Sequence, residues 1–192
     1  MSAPITRKPP QVLAEPNWLL VLREAKKRHC LPEVLRLVAL LQEGSIVDLK
    51  SDRWMSFVDS DASELQACLQ LWRIASPEIS PQALQGGTRI LKTEEDALRE
   101  FGINPYRFTK VIHRYRTLLI AHQCSTGAWG EWSELHLCLL AGMRDLVFAK
   151  IPARQPTYQN ADGLVVNLPR ECMAGAPALL LGVPLRLQPL EE

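Results

Sequence analysis

The sequence predicts a mainly α fold, a helical globular domain with a small β-leaning appendage at its C-terminal end. Three observations predict it. Apolar residues recur at three- and four-residue spacing through most of the stretch from Asn17 to Lys150. Capping residues and prolines stand where helices begin, and glycines stand where they end. After Pro152 the pattern changes to short apolar runs broken by Asn, Asp, Gly and Pro, as in Asn160-Ala-Asp-Gly163.

Composition sets the outer bounds. With 47% hydrophobic and 22% charged residues over 192 positions, the chain can bury a core. A formal net charge of +1 gives no global basic field, so any affinity for a polyanion has to be local. Five widely spaced cysteines, with no CxxC pair, fit free thiols in a reducing compartment better than a disulfide framework. No apolar run approaches the length of a membrane span, and the proline-rich start lacks the apolar stretch of a secretory leader. The expectation is a cytoplasmic protein with no membrane partner.

In order along the chain, residues 1–16 read as a flexible arm carrying Arg7 and Lys8. The region 17–76 reads as helical. Asn17 caps a helix that ends in Lys26, Lys27 and Arg28, cations that oppose the helix dipole at that end. Pro32 suits the first turn of the next helix, which carries Val34, Leu35, Val38 and Leu41 as one stripe and stops at Gly44. The stretch from Ile46 to Val58 fits either short strands or loop anchors. Asp61 and Glu64 form a capping box for a helix bearing Leu65, Cys68, Leu69 and Trp72.

A second helical region spans 77–152, opening with a break rich in proline and glycine. Thr93 is expected to cap a short acidic-start helix that ends at Gly102. Asn104 and Pro105 then open a helix reaching about His122. A third helix is expected over roughly 131–150, with Trp132, Leu135, Leu139, Met143 and Leu146 on one face. The appendage, 153–192, reads as a hairpin around Asn160–Gly163 with further short strands at Leu179–Leu181 and Leu185–Leu187. The expected core comprises Leu19, Leu22, Val38, Leu41, Leu65, Leu69, Trp72, Leu135, Leu139, Met143 and Leu146.

The segment 93–122 carries the functional expectation. Two helices across a tight turn need a small residue in the first helix, a glycine in the turn and an apolar inner face on the second helix. Ala97 and Leu98, Gly102, and Phe108, Val111, Ile112 and Tyr115 meet those needs. On the opposite face Arg107, Lys110 and Arg114 recur at helical spacing, and no Asp or Glu occurs between Glu100 and Glu131. The segment resembles the general helix-turn-helix class. That resemblance implies a second helix whose N-terminal half reads base edges in the major groove of DNA. The candidate DNA-binding residues are Asn104, Tyr106, Arg107, Thr109 and Lys110, with His113, Arg114 and Arg116 farther along facing backbone phosphates.

The expected function is therefore sequence-specific DNA binding, as a transcriptional regulator acting as a homo-oligomer, such as a dimer, or with a partner protein. The alternative is a non-enzymatic adaptor or assembly protein, since paired amphipathic helices also occur in bundles that bind no DNA. An enzyme is not expected. The order Glu33…Asp48-Leu49-Lys50 imitates a metal-dependent nuclease signature, but Glu33 falls in a helix rather than on a strand. His136 and Cys138 point about 200° apart on a helix, which disfavours a shared zinc ion. No glycine-rich phosphate loop or nucleophile elbow occurs in the chain. No metal and no cofactor are expected.

Overall fold

A computed structural model describes residues 15–48, 50–59, 63–76, 92–126, 131–168 and 177–181. The described chain is mainly helical, with a four-stranded antiparallel sheet at its C-terminal end. The α-helices are α1 (Trp18–Lys27), α2 (Leu31–Glu43), α3 (Glu64–Ala75), α4 (Lys92–Glu100), α5 (Pro105–Ala121) and α6 (Trp132–Gly142). The strands are β1 (Val147–Ile151), β2 (Thr157–Gln159), β3 (Val165–Asn167) and β4 (Leu179–Leu181), in the spatial order β3-β2-β1-β4. Residues 1–14 of the arm, residues 77–88 of the expected 76–88 break and the Leu185–Leu187 run lie outside the described residues.

α2 is the hub, touching α1, α3, α5 and α6. Pro32 sits in its first turn, where a missing N–H leaves nothing unpaired, and Gly44 ends it with φ of 93°. Every residue from Glu33 to Leu40 is buried. The single apolar stripe expected from sequence is therefore too narrow, because packing on several sides buries the whole circumference of the helix. Burial extends to Glu33 and Arg36, whose side chains are each 7% exposed and stand 3.7 Å apart in an ion pair. A buried charge is tolerated only when paired, and the two share one face at i,i+3.

α1 lies against α6 and α2. Asn17 caps α1 by accepting from the Leu20 N–H at 3.2 Å, and its own N–H donates to the Gly142 carbonyl at 2.8 Å. A Cβ on Gly142 would collide with the Asn17 carbonyl oxygen and Val21, so glycine is what lets the two helices meet. Val21 and Ala25 form the inward stripe of α1, partly extended by Trp18 and Leu22. Leu19 is 78% exposed and does not belong to the core. It stands two positions before Val21, about 200° around the helix from that stripe. The other expected core residues are buried, or, for Leu22, Leu41 and Leu65, half-buried against the core.

Three boundaries differ from expectation for local reasons. Ser63, whose Oγ accepts from the Gln66 N–H at 3.2 Å, caps α3, in place of the expected Asp61. Lys92 is already helical, so Thr93 lies inside α4 rather than at its cap. The helix expected to reach Lys150 stops at Gly142. A short 3-10 turn, Arg144–Leu146, follows, and the β-prone run from Val147 continues as β1 with Lys150 paired to Tyr158. The expected face survives this break, since Leu135, Leu139, Met143 and Leu146 are all buried.

The hairpin forms as expected between β2 and β3. Asn160 is buried at its turn, accepting the Leu164 N–H and donating to the Asp145 carbonyl, both at 2.8 Å. Phe148 and Tyr158 face the core, and the Tyr158 hydroxyl donates to the Pro177 carbonyl at 2.9 Å. Substituting Gly142 by Ala tests the α1–α6 contact. Overpacking against fixed backbone is expected to cost roughly 2–3 kcal/mol, read as a lower denaturant midpoint at unchanged m-value. A midpoint within error of the wild type would show that the helices do not meet there.

Candidate nucleic-acid interface

The α4–α5 unit is built around one close backbone approach. Gly102 has φ of 71°, a left-handed conformation that side chains with a Cβ adopt poorly. A Cβ there would lie 2.5 Å from the Trp54 amide nitrogen. Trp54 belongs to a 3-10 turn, Arg53–Phe57, and Phe57 stacks edge-on with Phe101 at 5.2 Å between ring centroids. The stretch left open by the sequence between Ile46 and Val58 is thus an anchor. Val47 forms an isolated antiparallel bridge with Ile103. The Asp48 N–H donates to the Gly102 carbonyl, and the Asn104 N–H donates to the Ile46 carbonyl, each at 2.8 Å. These bonds pin the turn that enters α5.

From there α5 runs along α2. Phe108, Val111, Ile112, Tyr115 and Leu119 are buried. Trp72 of α3 meets Phe108 and Tyr115 edge-on at 5.7 and 5.3 Å, and the Arg36 guanidinium carbon lies 5.2 Å from the Tyr115 ring centroid. These contacts fix the rotation of α5 and so decide which side chains face outward.

The candidate residues then divide by geometry. Tyr106, Arg107, Lys110 and His113 are exposed on the N-terminal half of α5. Lys110 Nζ stands 4.6 Å from the Tyr106 ring centroid, and Arg107 makes a long 3.4 Å contact with the Ser45 carbonyl. Arg114 is exposed but paired, its Nε donating to Glu43 of α2 at 2.9 Å. Asn104 uses its side-chain oxygen as the helix cap, accepting the Arg107 N–H at 3.1 Å, which leaves its amide N–H groups for other partners. Thr109 is half-buried and donates its hydroxyl proton to the Pro105 carbonyl at 2.8 Å, leaving only acceptor capacity. Arg116 is half-buried. Among the described residues, Arg107, Lys110 and Arg116 have no carboxylate within ion-pair distance.

The other basic cluster is differently placed. Arg28 donates to Glu24 at 3.0 Å and to Glu134 of α6 at 2.6 Å, and Lys27 pairs with Glu24 at 3.2 Å. Arg28 is consumed in holding α1 to α6, and Lys27 in pairing along α1. The contribution of Glu43 and Glu134 is not readable from local sequence, since each is remote in sequence from the arginine it meets.

Among the described residues no group of three or more His, Cys, Asp or Glu side chains is gathered for a metal ion. His136 is exposed whereas Cys138 on the same helix is buried. No described helix is long and apolar enough to cross a membrane. A scan against protein-family models finds no match for the chain, and a search of curated proteins finds no similar one.

Tyr115 offers a probe of this packing. Burial pushes its phenol up to about 12, with the nearby Arg36 opposing that shift, and its hydroxyl has no hydrogen-bond partner among the described residues. The neutral phenol is the form the fold accommodates. Its contribution is therefore complete below the unfolded value of about 10 and is lost as the pH rises toward about 12. Tyr115→Phe is expected to leave neutral-pH stability within about 1 kcal/mol of the wild type, because it removes only an unpartnered hydroxyl. It should also reduce the loss of stability on raising the pH from 10 to 12, measured by urea unfolding at each pH. An unchanged alkaline limb would place the ring outside the α2–α3–α5 core.

Proposed function

We propose that the chain is a sequence-specific DNA-binding protein that uses the outer face of α5, as a cytoplasmic regulator of transcription acting as a dimer or with a partner protein. The observation that carries the reading is the exposed row Tyr106, Arg107, Lys110 and His113, beside a helix start with no acidic residue in its first turn. A groove reader needs this combination. The cations neutralise phosphates, and an arginine near the helix start can pair with a guanine edge. The near-neutral net charge of +1 makes such an interface local. Because Arg114 is paired with Glu43, the primary role falls to Arg107 and Lys110.

A second reading, a non-enzymatic adaptor in a larger assembly, is favoured by two large apolar side chains that stand in the open. Leu19 on α1 and Ile120 near the end of α5 are 78% and 80% exposed. Isolated exposed apolar residues are common on monomers, so they weigh less than the row of cations.

The test is the double substitution Arg107→Ala with Lys110→Ala, read by fluorescence-anisotropy titration of duplex DNA at several salt concentrations. Both side chains are exposed and alanine suits a helix interior, so thermal melts should stay close to wild type. Loss of a base-reading arginine should cost about 1–3 kcal/mol of binding, and loss of a phosphate-bound lysine should lower the salt slope by about one. Wild-type protein with no salt-dependent DNA binding would overturn the reading. Equal binding by the folded double variant would move the interface off α5.

A further inference from the structure

Two thiols meet in the core at the junction of α1, α2 and α6. Cys30 Sγ and Cys138 Sγ are 3.6 Å apart, although 108 positions separate them along the chain. We propose that Cys30 and Cys138 form a dithiol modification site that a peroxide oxidises to a disulfide in the folded protein, stapling the α1–α2 corner to α6. This inference is independent of the DNA-binding reading.

The two positions are unequal in a way that suits the reaction. Cys138 lies inside α6 and is fully buried, whereas Cys30 retains slight exposure at 6%. Cys30 also stands outside regular helix, as the residue before α2, following His29 with φ of 55°. Its backbone is thus the easier one to move when the sulfur–sulfur distance contracts from 3.6 Å to the covalent length of about 2.05 Å. Cys30 is accordingly the first to react. Its sulfur attacks one peroxide oxygen, the O–O bond breaks, and a sulfenic acid and water (or an alcohol from an organic peroxide) are produced. The Cys138 sulfur then attacks Cys30 Sγ, the S–O bond breaks, and hydroxide leaves with the Cys138 proton as water. Two thiols lose two electrons in all, and the peroxide gains them.

Burial holds both thiols protonated, pushing Cys138 up to about 12 and raising Cys30 as well, with the positive charge of Arg28 opposing this at each. The thiolate is the nucleophile, so the reaction is slow, and the pair responds to sustained rather than brief oxidation. The remaining described cysteines lack a thiol neighbour of this kind. Cys68 contacts Ser45 Oγ at 3.5 Å, and Cys124 donates to the Ser125 carbonyl at 3.4 Å.

The experiment treats the full folded chain with millimolar hydrogen peroxide at neutral pH, alkylates the remaining thiols after unfolding, and maps peptides without reduction. The expected result is a Cys30–Cys138 cross-linked peptide that dithiothreitol abolishes, together with a melting temperature raised by about 5–10 °C, since the closed loop is long. In Cys138→Ala the cross-link should vanish and Cys30 should instead be trapped as a sulfenic acid by dimedone. Cross-linking of Cys124 in place of this pair, or recovery of Cys30 and Cys138 both alkylated while Cys124 is oxidised, would overturn the proposal.

Discussion

Burial of α2 on all sides is the constraint from which the rest of the arrangement follows. A helix with eight consecutive buried residues, Glu33 to Leu40, has to be surrounded, and α1, α3, α5 and α6 surround it. The two charged residues within that buried run can then persist only as a pair, and Glu33 and Arg36 supply that pair at i,i+3. Arg36 also reaches the Tyr115 ring, so the buried charge takes part in orienting α5. Where α2 ends at Gly44, the chain turns immediately into the 45–48 segment that pairs with residues 102–104. One helix therefore contributes the floor on which α5 rests and leads directly into the strap that holds its first turn.

The outer face of α5 is a by-product of that inner face. Because Phe108, Val111, Ile112, Tyr115 and Leu119 are committed to the core, Tyr106, Arg107, Lys110 and His113 must point away. Electrostatics then separates this face from the other basic cluster in the molecule. Lys27 and Arg28 meet Glu24, and Arg28 also meets Glu134 at the α1–α6 joint, while Arg107 and Lys110 meet no carboxylate among the described residues. Arg114 is intermediate, exposed and yet held by Glu43, so a phosphate at that position would have to replace an existing partner.

Much of this is legible in the sequence where the signal is local. The Asn104–Pro105 start, the left-handed turn at Gly102, the inner stripe of α5 and the Asn160–Gly163 hairpin each announce themselves within a few residues. What is not legible depends on partners distant in sequence. The joint burial of Glu33 and Arg36 is imposed by helices remote in sequence, and no neighbouring residue signals it. Leu19 reads as part of a stripe, but the stripe that α6 and α2 select runs through Val21 and Ala25. The sequence overextends α6 because Met143 and Leu146 continue the helical spacing and remain buried, although the backbone there has already left the helix. Among the site residues, capping by Asn104 is visible in the sequence, whereas sequence distance hides the engagement of Arg114 by Glu43.

We propose that α2 holds α5 so that its N-terminal outer face is the surface offered to DNA. A two-dimensional amide NMR titration of the isotope-labelled chain with a short duplex tests this most directly, because it reports position by position on the intact fold. The expected result is progressive shift changes centred on Asn104 to Arg114, with the buried α2 amides nearly unmoved. Changes confined to other surfaces, such as the exposed side of α1 around Leu19, or no changes at any duplex concentration, would contradict it.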